Sequence, residues 1–208
     1  EPSLLAKITS TIDVISGGRL DWGIGAGWYE NECRGYGFDF PEPKVRIAML
    51  RECVEIVRSM WTNEETTYDG KHYKMVRGNC DPKPLQKPHP PIWIGGGGEQ
   101  LTLRVVAQHA DYSNFGGSAE EFSRKVEILK GHCLKVGRDE SEIKKTTLQS
   151  PPASLNMIKI PNSDDLMVIW QGCCNSGKRL TLSSAISTDA GETWKWQRAI
   201  VTVAPEYG

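Results

Sequence analysis

Four consecutive glycines, Gly95-Gly96-Gly97-Gly98, are the strongest signal for ligand chemistry in this 208-residue chain. They follow Pro90-Pro91-Ile92-Trp93-Ile94, where two prolines bar helix and an unbroken apolar triplet reads as a short strand covered on both faces. From Glu99 to His109 the apolar residues Leu101, Val105 and Val106 have helical spacing, so a helix is expected to start where the glycines stop. A glycine loop entering a helix leaves no side chain between its N–H groups and the space above them. Together with the positive end of the helix dipole it suits an anion, most often a phosphate. A tight strand-to-helix turn without ligand is the alternative, but four glycines in a row exceed what a turn needs.

Other residues able to do chemistry are more dispersed. Gly25-Ala26-Gly27 forms a second glycine-bearing loop, leaving the end of a strand expected over Arg19–Ile24. Its Gly23-x-Gly25-x-Gly27 spacing is not the G-x-G-x-x-G of a dinucleotide fold. Trp28 is able to stack on a flat ligand or to fill the end of the fold, and Glu30 and Glu32 read as exposed or as lining a pocket mouth. His72 and His89 are candidate general bases, yet both sit beside strand or proline signals and read more simply as solvated or structural. His109, in the helix after the glycines, is able to approach a phosphate but reads more simply as lying on that helix's exposed face, and Glu120-Glu121 and Lys144-Lys145 read as solvated faces. No catalytic acid or base stands out. Cysteines at 33, 53, 80, 133, 173 and 174 form no C-x-x-C and no Cys/His cluster, so neither metal nor a disulfide framework is expected. Cys53 reads as a small core residue, Cys173-Cys174 as part of a turn, and the thiols as reduced in a cytoplasmic setting.

The elements that must position these residues alternate. Leu4, Leu5, Ile8, Ile12 and Ile15 give a first helix that ends at Ser16-Gly17-Gly18. After the strand and the Gly25 loop comes an aromatic connector, Asn31–Phe40. The clearest helix is Val45–Trp61, with Arg46, Arg51, Glu52 and Arg58 largely outside its apolar stripe. Thr66–Tyr68 and His72–Met75 flank Asp69-Gly70 like a hairpin, and five prolines make Asp81–Pro91 an extended tether. The cradle and its helix, a strand end at Asp111–Phe115 and a helix over Ala119–Val136 complete a parallel α/β rhythm. Both glycine loops fall where strands end, the side on which such folds bind ligands.

Beyond about residue 148 helical periodicity disappears. Ser150-Pro151-Pro152 breaks the chain, and strands are expected at Leu155–Ile160, Leu166–Trp170 and Leu180–Ser187, separated by turns at Asn162–Asp165 and Gly172–Gly177. Two domains follow, 1–147 and 148–208. A formal charge of -1 without a Lys/Arg cluster excludes a nucleic-acid surface, and no apolar run is long enough to span a membrane. No signal peptide is legible, and the chain reads as though it begins inside a domain.

Residues 1–147 resemble the luciferase-like monooxygenases, flavin-dependent oxidoreductases built on a TIM barrel. The likeness is carried by Leu4-Leu5-Ala6-Lys7, Thr11-Ile12-Asp13-Val14-Ile15-Ser16-Gly17-Gly18-Arg19-Leu20 and Gly23-Ile24-Gly25-Ala26-Gly27-Trp28-Tyr29. It continues through Pro82-Lys83-Pro84, the Pro90–Gly97 run and Ala110-Asp111. The resemblance implies that Gly95, Gly96, Gly97 and Gly98, with Thr102, hold the cofactor phosphate. It implies too that Gly25, Ala26 and Gly27 let a strand end approach the isoalloxazine-type ring. The cofactor implied is FMN or the F420-type deazaflavin, the substrate a small organic molecule, with a homo-oligomer left open. A TIM barrel takes roughly 200–250 residues or more, so an incomplete barrel is expected here. Residues 148–208 resemble the sialidase (BNR, Asp-box) β-propellers through Ser187-x-Asp189-x-Gly191-x-Thr193-Trp194, supported by Leu166–Trp170 and Leu180–Ser187. That box is structural and implies about one blade. The expectation is therefore an oxidoreductase segment, weakly active or inactive as it stands, joined to a partial all-β segment. A glycan hydrolase fragment and a non-catalytic composite are the alternatives.

Overall fold

The computed structural model describes residues 1–116, 118–145, 155–159, 163, 166–173, 179–189 and 195–202. The chain divides into two compact units, one of residues 1–115 with 123–145, the other of 116–122 with 146–208.

The first unit runs α1 (Pro2–Ile15), β1 (Trp22–Ile24), α2 (Glu30–Gly35), α3 (Pro43–Thr62), β2 (Thr66–Asp69), β3 (Lys74–Gly78), β4 (Ile92–Gly95), α4 (Thr102–His109), β5 (Tyr112–Asn114), α5 (Ala119–Val136) and β6 (Lys144–Lys145). Strands β1, β4, β5 and β6 form one parallel sheet in the order β1-β4-β5-β6. Ile92 and Ile94 are fully buried, as are Leu103 and Val106 of α4, which packs on β4 and against α3, and Val54, Val57 and Trp61 of α3 are fully buried or nearly so. Trp22 meets Trp61 edge-on at 5.1 Å. Each of these aliphatic side chains contributes about 1.5–3 kcal/mol by leaving water, which is the main force closing the unit. The opposite face carries the row Gly23–Trp93–Tyr112–Lys144, where Trp93 stacks on Tyr112 at 4.3 Å.

Two buried carboxylates fix the connections. Asp13, near the end of α1, accepts from the Leu20, Leu85 and Gln86 amides and from Gln86 Nε2, tying that helix to the proline tether. Ser10 donates to the Pro82 carbonyl alongside, and Trp61 Nε1 to the Ala6 carbonyl at 3.1 Å. These polar partners decide which face of α1 is buried: Ala6, Thr9, Ser10 and Asp13 lie inward, whereas Leu4, Ile8, Ile12 and Ile15 are exposed. Glu52 of α3 accepts from the amides of Lys71, His72 and Tyr73 at 2.8–3.1 Å. That acceptor sets a four-residue loop, because Asp69 pairs with Lys74 and not across a two-residue Asp69-Gly70 turn.

Other departures from expectation are local. The connector after Trp28 holds a helical turn, α2, supported by a Glu30–Arg34 pair at 2.6 Å and ended by Gly37 at φ +77°. Helix α4 starts at Thr102 and not Glu99, since the Gly98 carbonyl accepts from the Leu103 amide and Glu99 is held by α5. Lys145 is not solvated: it is engaged with Glu140 and only 16% exposed.

In the second unit β7 (Leu155–Lys159), β8 (Leu166–Cys173), β9 (Arg179–Ser187) and β10 (Lys195–Thr202) form an antiparallel sheet in the order β10-β9-β8-β7. Strand β8 runs through Cys173 where a loop from Gly172 was expected, and β10 was not anticipated. The Ser187–Trp194 segment links the paired strands β9 and β10. Its residues 190–194, the turn residues Asn162, Asp164 and Asp165, and Cys174 lie outside the described residues.

Candidate functional site

Because the sheet is parallel, the loops after β1, β4 and β5 leave from one edge. Ile24, Ile94 and Ser113 stand in register, as do Gly95 and Asn114. The expected site residues Gly25–Gly27 and Gly95–Gly98 are therefore neighbours: a Cβ built on Gly25 would lie 3.6 Å from the Gly95 carbonyl oxygen. A Cβ on Gly95 would approach Asn114 Oδ1 to 3.1 Å.

The cradle is shaped by what surrounds it. Gly96 has φ +117°, a conformation closed to other residues without strain, and its N–H donates to the Asn114 carbonyl at 3.2 Å. A Cβ on Gly97 would sit 2.9 Å from Lys125 Nζ and 3.3 Å from Phe115 Cβ. One on Gly98 would sit 2.8 Å from Thr102 Oγ1. Among the described residues no acceptor takes the Gly97 or Gly98 N–H. Two open amides, a hydroxyl at the first turn of α4 and an ammonium group thus converge on one spot, a donor set that fits an anion. Both Gly96 and Gly98 are exposed, so the spot opens to solvent. Glu99 steadies the loop, its carboxylate 2.6 Å from Arg124 and its carbonyl accepting from His132 Nε2 at 2.8 Å.

The other loop is held from α3. Arg46 donates to the carbonyls of Ala26, at 3.1 Å, of Gly27 and of Pro41, and stacks 3.9 Å over the Phe40 ring. Ala26 is half-buried while Gly25 and Gly27 are exposed. Past the loop Trp28 lies 80% exposed, tilted against Tyr29. Glu30 and Glu32 are exposed, Glu30 in its pair with Arg34.

Arg46, Lys125 and Asn114 were missed by sequence reasoning. Arg46 reads as one more solvated residue of an amphipathic helix, and Lys125 as part of the charged face of α5. Only its place after the next strand, where another loop must reach the same edge, could have pointed to Lys125.

The histidines are accounted for elsewhere. His89 Nδ1 contacts the Pro90 carbonyl at 2.9 Å. The backbone of His72 is bound by Glu52. His109 closes α4, about 10 Å along the helix from Thr102 by its rise. It is largely buried, against expectation, with Nε2 at 3.3 Å from Glu55 Oε1, while Tyr68 donates to the other oxygen. Burial holds its pKa below the usual histidine value although Glu55 opposes this. A cavity of about 390 Å³ lies between the start of α1, Ile56 and Met60 of α3, and the β3 hairpin, with no cradle residue in its lining. Among the described residues there is no cluster of metal-ligating side chains, and no helix is long and apolar enough to cross a membrane.

A parallel α/β sheet with two abutting glycine loops on its C-terminal edge is of TIM-barrel type. The luciferase-like monooxygenase family matches residues 1–154, and the chain belongs to it. The FMNH2-dependent dimethylsulfone monooxygenase of Pseudomonas putida is 29% identical over 161 residues, covering 74% of this chain and 44% of that protein. The F420-dependent glucose-6-phosphate dehydrogenase of Amycolatopsis mediterranei is 32% identical over 115 residues, covering 55% and 32%. The coenzyme F420 dependent tetrahydromethanopterin reductase from Methanopyrus kandleri shares the fold, with a TM-score of 0.62 at 22% identity over 70% of this chain and 45% of that one. The chain spans about half the length of the curated relatives it matches, or less.

Proposed function

We propose that the first unit carries the cofactor-holding rim of a flavin- or deazaflavin-dependent oxidoreductase acting on a small organic substrate. The observation that carries the reading is the abutment of the two glycine loops, one of them an anion cradle with Lys125 and Thr102 over it. In this reading Gly95–Gly98, Thr102 and Lys125 hold the phosphate, and Gly25-Ala26-Gly27, braced by Arg46, flank the ring. A bound cofactor supplies hydride transfer or, as reduced FMN, oxygen activation. The protein supplies anchoring and orientation, and none of its described residues is assigned as catalytic acid or base. Relatives named for FMNH2 and for F420 support either cofactor.

The four parallel strands among the described residues are half of what an eight-stranded barrel closes with, so this chain alone is expected to bind cofactor weakly or not at all and turn over little. Fluorescence titration of the purified protein with FMN and with F420 tests the reading. Saturable binding of one of them, weakened at least about tenfold in Lys125→Ala, supports it; binding indifferent to Lys125 and to Gly96→Ala refutes it. For residues 148–208 a sialidase-like blade without catalysis is a reading that rests on the Ser187–Trp194 spacing alone; a four-stranded antiparallel sheet is common to many folds.

A further inference from the structure

The cavity of about 390 Å³ between α1, α3 and β3 lies apart from both glycine loops. Its floor is apolar. Ile56 and Met60 are each 1% exposed, and Met75 and the Tyr73 ring line the space beside them. At about 30 Å³ per water the cavity has room for roughly a dozen waters, or for a ligand of about ten to twelve non-hydrogen atoms. An apolar tail laid on such a floor leaves water without needing any directional contact.

The polar lining has a different character. It holds Lys7, Lys74 and Arg77 against the single carboxylate of Glu1. Lys74 is paired with Asp69 at 2.6 Å and Arg77 with Glu65 at 2.9 Å, but both cations are 75% exposed, and surface pairs of this kind open at little cost. Lys7 has no partner among the described residues, and neither have the Tyr73 hydroxyl and the Asn79 side-chain amide. Burial first, and then the neighbouring Cys53, Glu1 and Glu52, hold the Tyr73 pKa above the usual tyrosine value, so this hydroxyl keeps its proton near neutral pH. An ammonium and a hydroxyl without acceptors, beside an apolar floor, are what the two oxygens of one carboxylate complete.

We propose that this cavity is a second small-molecule site, independent of the cofactor rim, and that it takes a monocarboxylate with an apolar tail of aryl size. The tail lies on Ile56, Met60 and Met75, and the carboxylate meets Lys7 and the Tyr73 hydroxyl. A neutral ligand leaves those donors unmet, and a cationic one faces three like charges. For a ligand this small the expected Kd is about 0.1 to 5 mM.

The probe is 3-phenylpropionate, which has the required size and charge. Met60 and Met75 both line the cavity, so the full chain labelled with 13C at its methionine methyls reports the site directly by NMR. On titration the Met60 and Met75 resonances are expected to shift saturably in the field of the aryl ring, while that of Met49, outside the lining, stays in place. The neutral isostere 3-phenylpropanamide is expected to bind at least about fivefold more weakly. The same loss is expected for the acid in Lys7→Met, which keeps the stem without its charge, and in Tyr73→Phe. Should Tyr73→Phe fail to fold, Lys7→Met, at an exposed residue, decides. Lys125→Ala, at the cradle, is expected to leave the shifts unchanged. Equal binding of acid and amide, or acid binding untouched by Lys7→Met, overturns the proposal. So do Met60 and Met75 resonances that have not moved at about 20 mM probe, well above the expected Kd. Shifts that vanish in Lys125→Ala overturn it too, since they place the acid at the cradle.

Discussion

Replacing Asp13 tests whether a single carboxylate sets the path of the chain into the cradle strand. Its oxygens accept at 3.3 Å from the Leu20 amide, 2.7 Å from Leu85, 3.1 Å from Gln86 and 2.8 Å from Gln86 Nε2. A hydrogen bond to an ionised partner contributes about 1.5–3 kcal/mol. The first contact is long and Leu85 is exposed, so two bonds at the low end, about 3 kcal/mol, is the working figure for Asp13→Ala. Asp13→Asn keeps the shape and one acceptor oxygen but turns an NH2 towards N–H donors, at a cost of about 2 kcal/mol. Hydrogen exchange of the β4 amides reads the first unit by itself, and opening should become easier by about 30-fold in Asp13→Asn. The pH dependence has a definite sign. Burial would raise this carboxyl, but the bonds from Gln86, Leu20 and Leu85 outweigh it and hold the pKa below the usual aspartate value. Its contribution is therefore present above the unfolded pKa of about 3.9 and is lost as pH falls through the lower folded value. Between pH 5 and 3 the wild type should lose more stability than Asp13→Asn. A variant within 0.5 kcal/mol of wild type at pH 7, or one with an unchanged acid slope, would refute the reasoning.

Glu52→Gln leaves the amides of the 71–73 loop short of an acceptor and should cost about 2 kcal/mol, seen as faster exchange of the hairpin. Since hydrogen bonds from His72, Tyr73 and Lys71 overcome burial to lower the Glu52 pKa, its contribution too disappears on acidification through the carboxylate range. Arg46→Ala, and Arg46→Lys almost as fully, should raise exchange across Gly25–Trp28 about tenfold, because only a guanidinium serves three carbonyls and the Phe40 face together. With its folded pKa depressed by burial, His109 adds stability that is present above about pH 6.5 and lost as pH falls through the folded value. His109→Phe should flatten that limb in urea titrations from pH 7 to 5. Gly96→Ala should destabilise by at least about 1 kcal/mol through its backbone alone, whereas Gly97→Ala should be milder, since the Lys125 side chain can swing away.

Elements and their order were legible because apolar periodicity and proline-glycine punctuation are local signals. Which face of a helix turns inward was not. The stripe that identifies α1 points to solvent, because Asp13, Ser10 and the Ala6 carbonyl have partners between 55 and 73 residues away that no periodicity can register. The hairpin loop failed for the same reason: Glu52 reaches it across 19 to 21 residues and overrides the local turn preference of Asp69-Gly70. At the rim, glycines announce themselves because they are needed for the absence of a side chain. The cation above them does not, since Lys125 differs from any solvated lysine only in where the fold puts it. Lys83 shows how a motif can be read and its reason missed. Its ammonium caps the end of α3 at the Met60 carbonyl, 2.7 Å away, and that explains the lysine in Pro82-Lys83-Pro84 better than any ligand.

The two ends of the sheet carry different chemistries, and this separates stability from binding. Around the tether and the ends of α1 and α3 the decisive groups are carboxylates, carbonyls and one lysine, all with their partners inside the protein. On the edge where β1, β4 and β5 finish, the backbone is pared to glycine, and the Gly97 and Gly98 donors have no acceptor among the described residues. Gly96 is strained for any other residue, and the Lys125 ammonium stands close to amides that have no acceptor among the described residues. Such an arrangement suits a negative group arriving from outside. Lys125→Ala should weaken anion binding more than it affects unfolding, and Asp13→Asn should do the reverse per bound ligand once the surviving folded fraction is allowed for.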